Sequence, residues 1–113
     1  MSTENQRESF RYAFTKHRSL SMVFKQKTVT ILNISAGGMA FTNNGFKQYE
    51  ADQIALFLDI PNFRGDPEFP ALVRILNITP NGVCHCIFEN LTIKEYEIIH
   101  KYVLEMQKID LKA

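Results

Sequence analysis

One stretch of the chain decides its fold: residues 69–88 read FPALVRILNITPNGVCHCIF. The runs 69–78 and 83–88 are rich in apolar and β-branched residues, which is typical of strands. The Pro-Asn-Gly sequence at 80–82 stands between them and favours a turn, so the two runs are predicted to pair as a hairpin. Pro70 lies near the start of the first strand, where a missing N–H does least harm.

Four further strands are predicted upstream of this hairpin. Leu20, Met22 and Phe24 alternate with Ser21 and Val23, the pattern of a half-buried strand. Runs of β-branched or continuously apolar residues indicate the others, and the four predicted strands are 19–24, 28–34, 39–42 and 53–60. Six strands with short connections favour an antiparallel β-barrel, because closure removes exposed strand edges.

The sequence after these strands predicts a helix over residues 92–108. Thr92 and Glu95 form a capping box, in which each side chain accepts a backbone N–H from the other residue. The apolar positions of the helix form one stripe, which consists of Ile93, Tyr96, Ile99, Val103 and Met106. The simplest role for a one-sided helix after a barrel is to cover it, and a partner-binding face is the alternative. The predicted fold class is all-β with a C-terminal helix, in a single domain over residues 1–113.

Composition and charge narrow the class of function. Apolar residues make up 45% and charged residues 22% of the chain, the usual balance of a globular domain. The longest apolar run, residues 54–58, is far shorter than the ~20 residues of a membrane span, and no N-terminal segment resembles a signal peptide. We therefore expect a cytoplasmic protein without membrane insertion. The net charge is only +1, with positive charge concentrated in residues 7–18, which favours a small anionic ligand over DNA or RNA.

Catalytic and metal-binding patterns find no support in the sequence. His17, His85 and His100 are scattered, and no Ser-His-Asp or paired-carboxylate pattern accompanies them. Cys84 and Cys86 flank His85 in a way that suggests zinc, but in a strand the imidazole points away from both sulfurs. The two thiols are predicted to be reduced and to pack in the core. We therefore expect that the chain is not an enzyme and has no catalytic residues, no metal and no cofactor.

Two short motifs carry the functional information. Arg7 and Arg11 stand four residues apart in a polar segment, and a guanidinium can clamp a phosphate or read the O6/N7 edge of guanine. Asn33 and Ser35 offer neutral donors and acceptors at a predicted strand end, and the glycine pair at 37–38 lets the backbone approach a ligand. This combination suits a small dianion that carries purine bases. The alternatives are a solvated basic arm and ordinary turn chemistry.

The two motifs resemble the RxxxR and (D/N)xSxxG signature of the PilZ family, bacterial domains that bind cyclic di-GMP. The matching residues are Arg7 and Arg11 for the first motif and Asn33, Ser35 and Gly38 for the second. The resemblance extends to the segments 56–61, 71–74 and 84–88, which are similar to strands of the family. It implies a PilZ-like split barrel of six antiparallel strands over residues 17–89, preceded by an arm over residues 1–12 that is mobile without ligand.

The resemblance also implies a binding mode. The arm would wrap cyclic di-GMP, with Arg7 and Arg11 on the phosphates and guanine edges. Asn33 and Ser35 would hold a guanine on the barrel rim beside Gly38. Candidates for peripheral contacts are Gly37, Arg18 and Arg74.

A second-messenger receptor is the function that follows from this resemblance. The ordered arm would change contacts with a protein partner that the sequence does not identify. Gln6 stands where many relatives carry another Arg, so one ligand per chain is expected. Asn33 replaces the commoner Asp and would read guanine less strongly. The alternative is a PilZ-like protein-interaction module with weak or no affinity for cyclic di-GMP.

Overall fold

Seven antiparallel strands and one long helix make up the part of the chain that the computed structural model describes, residues 11–15 and 18–112. In chain order these elements are β1 (Tyr12–Ala13), β2 (Leu20–Phe24), β3 (Lys27–Ile34), β4 (Gly38–Thr42), β5 (Ala51–Phe57), β6 (Glu68–Ile78), β7 (Val83–Glu89) and α1 (Ile93–Lys112).

The strands form one sheet in the order β1-β3-β4-β7-β6-β5, and β2 also pairs with β3. β1 and β2 share one edge of β3, because β2 pairs with residues 27–31 and β1 pairs with Asn33 and Ile34. The sheet curls until β2 approaches β5, where the Lys25 N–H donates to the Asp52 carboxylate. β2 and β5 share no backbone ladder within the described ranges, so the sheet is a curled half-barrel.

The predicted all-β fold with a C-terminal helix is confirmed, and the six predicted strands correspond to β2–β7. β1 is an addition, because two residues are too short to show a pattern and only the ladder to β3 makes them a strand. β5 ends at Phe57 rather than at residue 60, since the Leu58 N–H bonds the Pro67 carbonyl across the following loop at 2.8 Å. The helix continues past the predicted end at residue 108.

The predicted N-terminal arm can be compared with the structure only in part. Residues 1–10, which include Gln6 and Arg7, lie outside the described residues. Arg11 and Tyr12, which the prediction also placed in the arm, are described. Tyr12 is buried and begins β1, and its ring packs edge-on against Phe14 with centroids 5.1 Å apart.

One hydrophobic core fills the inside of the half-barrel and continues beneath α1. Alternate residues of β6 point inward, as period-two geometry requires, and those buried are Phe69, Ala71, Val73 and Ile75. The helix contributes Ile99, Tyr102, Val103 and Met106 to the same core. The prediction that the helix covers the barrel therefore holds from Ile99 onward. The predicted stripe is wrong at its start, because Ile93 and Tyr96 are exposed on 80% and 38% of their surface. No helix in the described part of the chain is long and apolar enough to cross a membrane.

The local predictions for the helix start and for the thiols are also confirmed. The Thr92 N–H donates to Glu95 Oε1 at 2.9 Å, and the Glu95 N–H donates to Thr92 Oγ1 at 3.1 Å. Cys84 and Cys86 are free thiols in the core. Burial raises the pKa of Cys84 to about 11 and that of Cys86 to about 12. Both thiols therefore stay protonated and unreactive at neutral pH.

Candidate ligand-binding site

The structure brings the two sequence motifs into direct contact. Arg11 immediately precedes β1, which pairs with the end of β3 so that Ala13 lies opposite Asn33. Arg11 Nη1 donates a hydrogen bond to Asn33 Oδ1 from 22 residues away in the sequence. The rest of the Arg11 side chain is exposed, so most of its N–H donors remain available to a ligand.

A β-bulge places Asn33 on the outer face of the sheet. Ile31 pairs with Phe41 and Asn33 pairs with Ala40, so Leu32 is the extra residue on β3. Strict alternation would have put Asn33 on the same face as Ile31, which is fully buried in the core. The bulge turns Asn33 outward and lets Ile34 return to the core, which is the way bulges re-aim side chains near functional sites.

Ser35 is buried and serves the turn that follows β3. Its backbone N–H donates to the Gly38 carbonyl at 2.9 Å, and the Gly38 N–H donates back to the Ser35 carbonyl at 3.3 Å. The Ser35 hydroxyl accepts the Gly37 N–H at 3.3 Å and lies 3.5 Å from the Gly38 carbonyl. These bonds fix the rim of the barrel beside Asn33, whatever else Ser35 contacts.

Gly38 is required by the packing of β4 against β7. A Cβ at this position would lie 2.1 Å from the Cys86 carbonyl oxygen, closer than any side chain could be accommodated. Gly37 is different, because a Cβ there would meet only Ser35 Oγ, at 4.0 Å. Gly38, the glycine of the second motif, is therefore required for strand packing whether or not a ligand binds.

The two arginines predicted as peripheral contacts are both engaged within the protein. Arg74 Nε donates to Glu89 Oε2 at 2.8 Å, and Arg74 Nη1 donates to the Tyr49 carbonyl at 2.9 Å. This hydrogen bond to the Glu89 carboxylate also raises the pKa of the Arg74 guanidinium. Arg18 Nη2 lies 3.6 Å from Asp110 Oδ1 on α1. A ligand contact by either residue stays a prediction.

Two further polar residues, which the sequence analysis did not single out for the site, lie in line with Asn33 across the sheet. Ala40 lies between Asn33 and His85 in the sheet, and His85 pairs on its other side with Asn77. We call this line across β3, β4, β7 and β6 the outer row. The spacing of Cys84 and Cys86 already turned His85 outward, but its alignment with Asn33 depends on strand register, which the sequence does not display.

The chemistry of this surface is that of recognition. It offers the guanidinium of Arg11 and the amides and imidazole of the outer row, in which Ala40 is fully buried and no residue carries a carboxylate. Over residues 11–15 and 18–112, no three His, Cys, Asp or Glu side chains are grouped so that they could hold a metal ion. Such a surface can hold an anion and the polar edges of a base.

Comparison with known proteins adds the family and the fold. The family model of the PilZ domain matches residues 5–105. No curated protein sequence matches the chain. Among solved structures, the PilZ domain of YcgR from Escherichia coli, with cyclic di-GMP, is similar at a TM-score of 0.68 and 11% identity, over 90% of this chain and 92% of that chain.

Two other solved structures are similar. The inhibitor of motility from Bacillus subtilis has a TM-score of 0.65 and 14% identity, over 88% of this chain and 49% of that chain. An uncharacterized protein from Legionella has a TM-score of 0.62 and 14% identity, over 91% of this chain and 98% of that chain. At these identities the likeness to solved structures shows the fold alone.

Proposed function

The chain belongs to the PilZ domain family, and we propose that it is a receptor that binds cyclic di-GMP through Arg7, Arg11, Asn33, Ser35 and Gly38. The family consists of binding modules, and the E. coli relative with this fold was solved with cyclic di-GMP. We propose further that the protein acts in the bacterial cytoplasm and passes the signal to a protein partner rather than to DNA or RNA.

The hydrogen bond between Arg11 and Asn33 carries this proposal. It joins the second arginine of one motif to the first residue of the other, although the two residues are 22 positions apart. A pair of unrelated motifs would have no reason to meet at one point of the surface. Their contact therefore supports one shared ligand.

The contact also determines which hydrogen-bonding groups of Asn33 and Arg11 remain for a ligand. Asn33 Oδ1 accepts from Arg11, which leaves the Asn33 amide N–H2 as a donor. A donor at this position suits the O6 and N7 acceptors of guanine. The other N–H groups of Arg11 are free to take a phosphate oxygen, with Arg7 as the second cation.

Signal output would pass through the segment that follows Arg11. Tyr12 anchors this segment in the core, and Arg18 ties its far end to Asp110 on α1. A ligand that repositions Arg11 therefore acts on a segment attached to both the barrel and the helix. We propose that the surface around this segment is what a protein partner reads in the bound state.

Calorimetric titration of matched arginine variants with cyclic di-GMP tests the site. Arg11→Ala should weaken binding by about ten- to a hundredfold, because a charge-assisted hydrogen bond contributes roughly 1.5–3 kcal/mol. Arg64→Ala is the control, since Arg64 is exposed in the loop between β5 and β6 and belongs to neither motif. Equal losses in the two variants would mean that Arg11 acts only through general charge.

The competing function is a protein-interaction module without ligand. One observation favours it: Ser35 and Gly38 have structural roles in the turn and in the β4–β7 packing, so the second motif can persist without a ligand. In that case the native chain would show no saturable binding of cyclic di-GMP, and Arg11→Ala would change nothing.

A further inference from the structure

A second β-bulge lies on the same face of the sheet as the bulge before Asn33. Ile75 pairs with Cys86 and Asn77 pairs with His85, so Leu76 is the extra residue on β6. Without the bulge, Leu76 would stand opposite His85, and Asn77 would point toward the core with Cys84. The bulge instead presents Asn77 outward and leaves Leu76 exposed on 42% of its surface.

Both bulges therefore act on the outer row. Each one turns an asparagine outward at an end of the row and returns an isoleucine, Ile34 or Ile78, toward the core. Bulges occur preferentially next to functional sites, where they redirect a side chain. Two of them that flank one row of four strands indicate that the accessible side chains of the row, His85 and Asn77 as well as Asn33, belong to the binding surface, whereas Ala40 is buried.

His85 is the ionisable side chain of this row. Its strand neighbours are uncharged: Ala40 on β4 and Asn77 on β6 pair with it directly. Val83 and Ile87 flank it along the outward face of β7 and are apolar. Among the described residues, the pairing places two charged groups on this face near it: Arg11 beyond Asn33 and, one row along, the Arg74–Glu89 pair beside Ile87.

The imidazole of His85 is not bonded to any other described residue. The side chain is exposed and has no hydrogen bond or ion pair to another residue in the described ranges. It lies two strand spacings from Asn33, about 10 Å between backbones. Ala40 between them is fully buried, so a ligand that reaches both residues would rest on the side chains of Asn33 and His85 and not on Ala40 itself.

We propose that His85, with Asn77 beside it, is a further ligand-binding residue and that its positive charge strengthens the binding of cyclic di-GMP at low pH. This inference rests on the proposed function. Imidazole changes charge between about pH 5 and pH 8, whereas a phosphodiester keeps its negative charge over that range. Affinity should therefore rise as pH falls, because the protonated imidazole adds a cation beside a dianionic ligand.

The size of the effect follows from Coulomb's law at a wet surface. One added charge near a phosphate, with an effective dielectric between those of protein and water, changes affinity by about three- to tenfold. Salt reduces the effect because the site is exposed.

Calorimetric titrations with cyclic di-GMP at about pH 5.5 and about pH 8 test this proposal. The native chain should bind about three- to tenfold more tightly at the lower pH. His85→Gln keeps hydrogen-bonding groups but cannot ionise, so its affinity should be the same at both values. His85→Lys is charged at both, so it should bind tightly at both. His100→Gln on α1 and His17→Gln are the controls and should keep the native pH dependence.

Two results would overturn the proposal. One is a native affinity that does not change with pH, and the other is a native-like pH dependence in His85→Gln. Either leaves the proposed function intact, since binding itself persists. Absence of binding by the native chain at both pH values would instead contradict the proposed function together with this inference. Melting curves of both His85 variants check that the exposed substitutions leave the fold unchanged.

Discussion

Replacement of Gly38 by alanine is expected to destabilise the protein through a single contact. The new Cβ would lie 2.1 Å from the Cys86 carbonyl oxygen and 3.1 Å from the Cys86 carbonyl carbon. Favourable contacts between non-bonded heavy atoms lie at roughly 3.5–4.0 Å, so β4 and β7 would have to separate by about 1 Å or more. The clash is with backbone in a ladder, which cannot rotate away as a side chain can.

The expected loss in free energy of unfolding is about 2–4 kcal/mol. Overpacking of a tight interior costs about 1–3 kcal/mol. Separation of the strands would also weaken the hydrogen bond from the Phe88 N–H to the Gly37 carbonyl, now 3.1 Å long. A hydrogen bond of this kind contributes about 0.5–1.5 kcal/mol. Ligand binding should fall with stability, because the same turn positions Asn33.

Urea denaturation of Gly38→Ala and Gly37→Ala gives the comparison. Gly37 is also a glycine and precedes Gly38 directly, but a Cβ added there would meet only Ser35 Oγ, at 4.0 Å. Gly37→Ala should therefore stay within about 0.5 kcal/mol of the native protein. If Gly38→Ala were as stable as Gly37→Ala, the assignment of Gly38 to strand packing would be refuted.

Three further predictions concern ligand choice, pH and stoichiometry. Cyclic di-GMP should bind far more tightly than cyclic di-AMP in parallel titrations, because the site offers guanine-reading arginine; equal affinities would contradict this reading. Burial raises the pKa values of Cys84 and Cys86 from the ordinary 9.0 to about 11 and 12, so the unfolded chain loses thiol protons first as pH rises. The free energy of unfolding in urea should therefore be constant below about pH 9 and fall above it. The fall should be smaller in Cys84→Ala, and a free energy that does not fall above that pH in the native protein would count against burial of the thiols. Calorimetry should give one bound ligand per native chain, and Gln6→Arg should favour a second bound ligand. Saturation of the native chain at two ligands would refute the argument from Gln6.

The sheet and helix could be predicted from the sequence because their signals are local. Alternation marked β2, a run rich in apolar and β-branched residues marked β6, the Pro-Asn-Gly turn marked the β6–β7 hairpin, and the Thr92–Glu95 box marked the helix start. β1 could not be predicted, since Tyr12 and Ala13 are a strand only by virtue of their pairing with β3.

The candidate site was predictable as a set of motifs and not as a surface. The motifs pointed to Arg11 and Asn33, and the structure adds their hydrogen bond. The bulges at Leu32 and Leu76 were not recognised in the sequence, because the extra residue is itself apolar in each strand and hides the one-residue shift in alternation. Alignment of His85 with Asn33 depends on both strand order and register, and so it emerged only in three dimensions.

The most direct test of the proposed binding site is the side-chain amide signal of Asn33 in an NMR titration with cyclic di-GMP. If cyclic di-GMP binds at Arg11 and Asn33, this signal and the Arg11 Nε–H signal should shift during the titration and saturate together. The Asn43 amide should stay in place, because Asn43 Oδ1 is held by the Phe46 N–H at 2.8 Å in a separate turn. An Asn33 signal that does not move while the ligand binds, or shifts confined to residues around Asn43, would contradict the site.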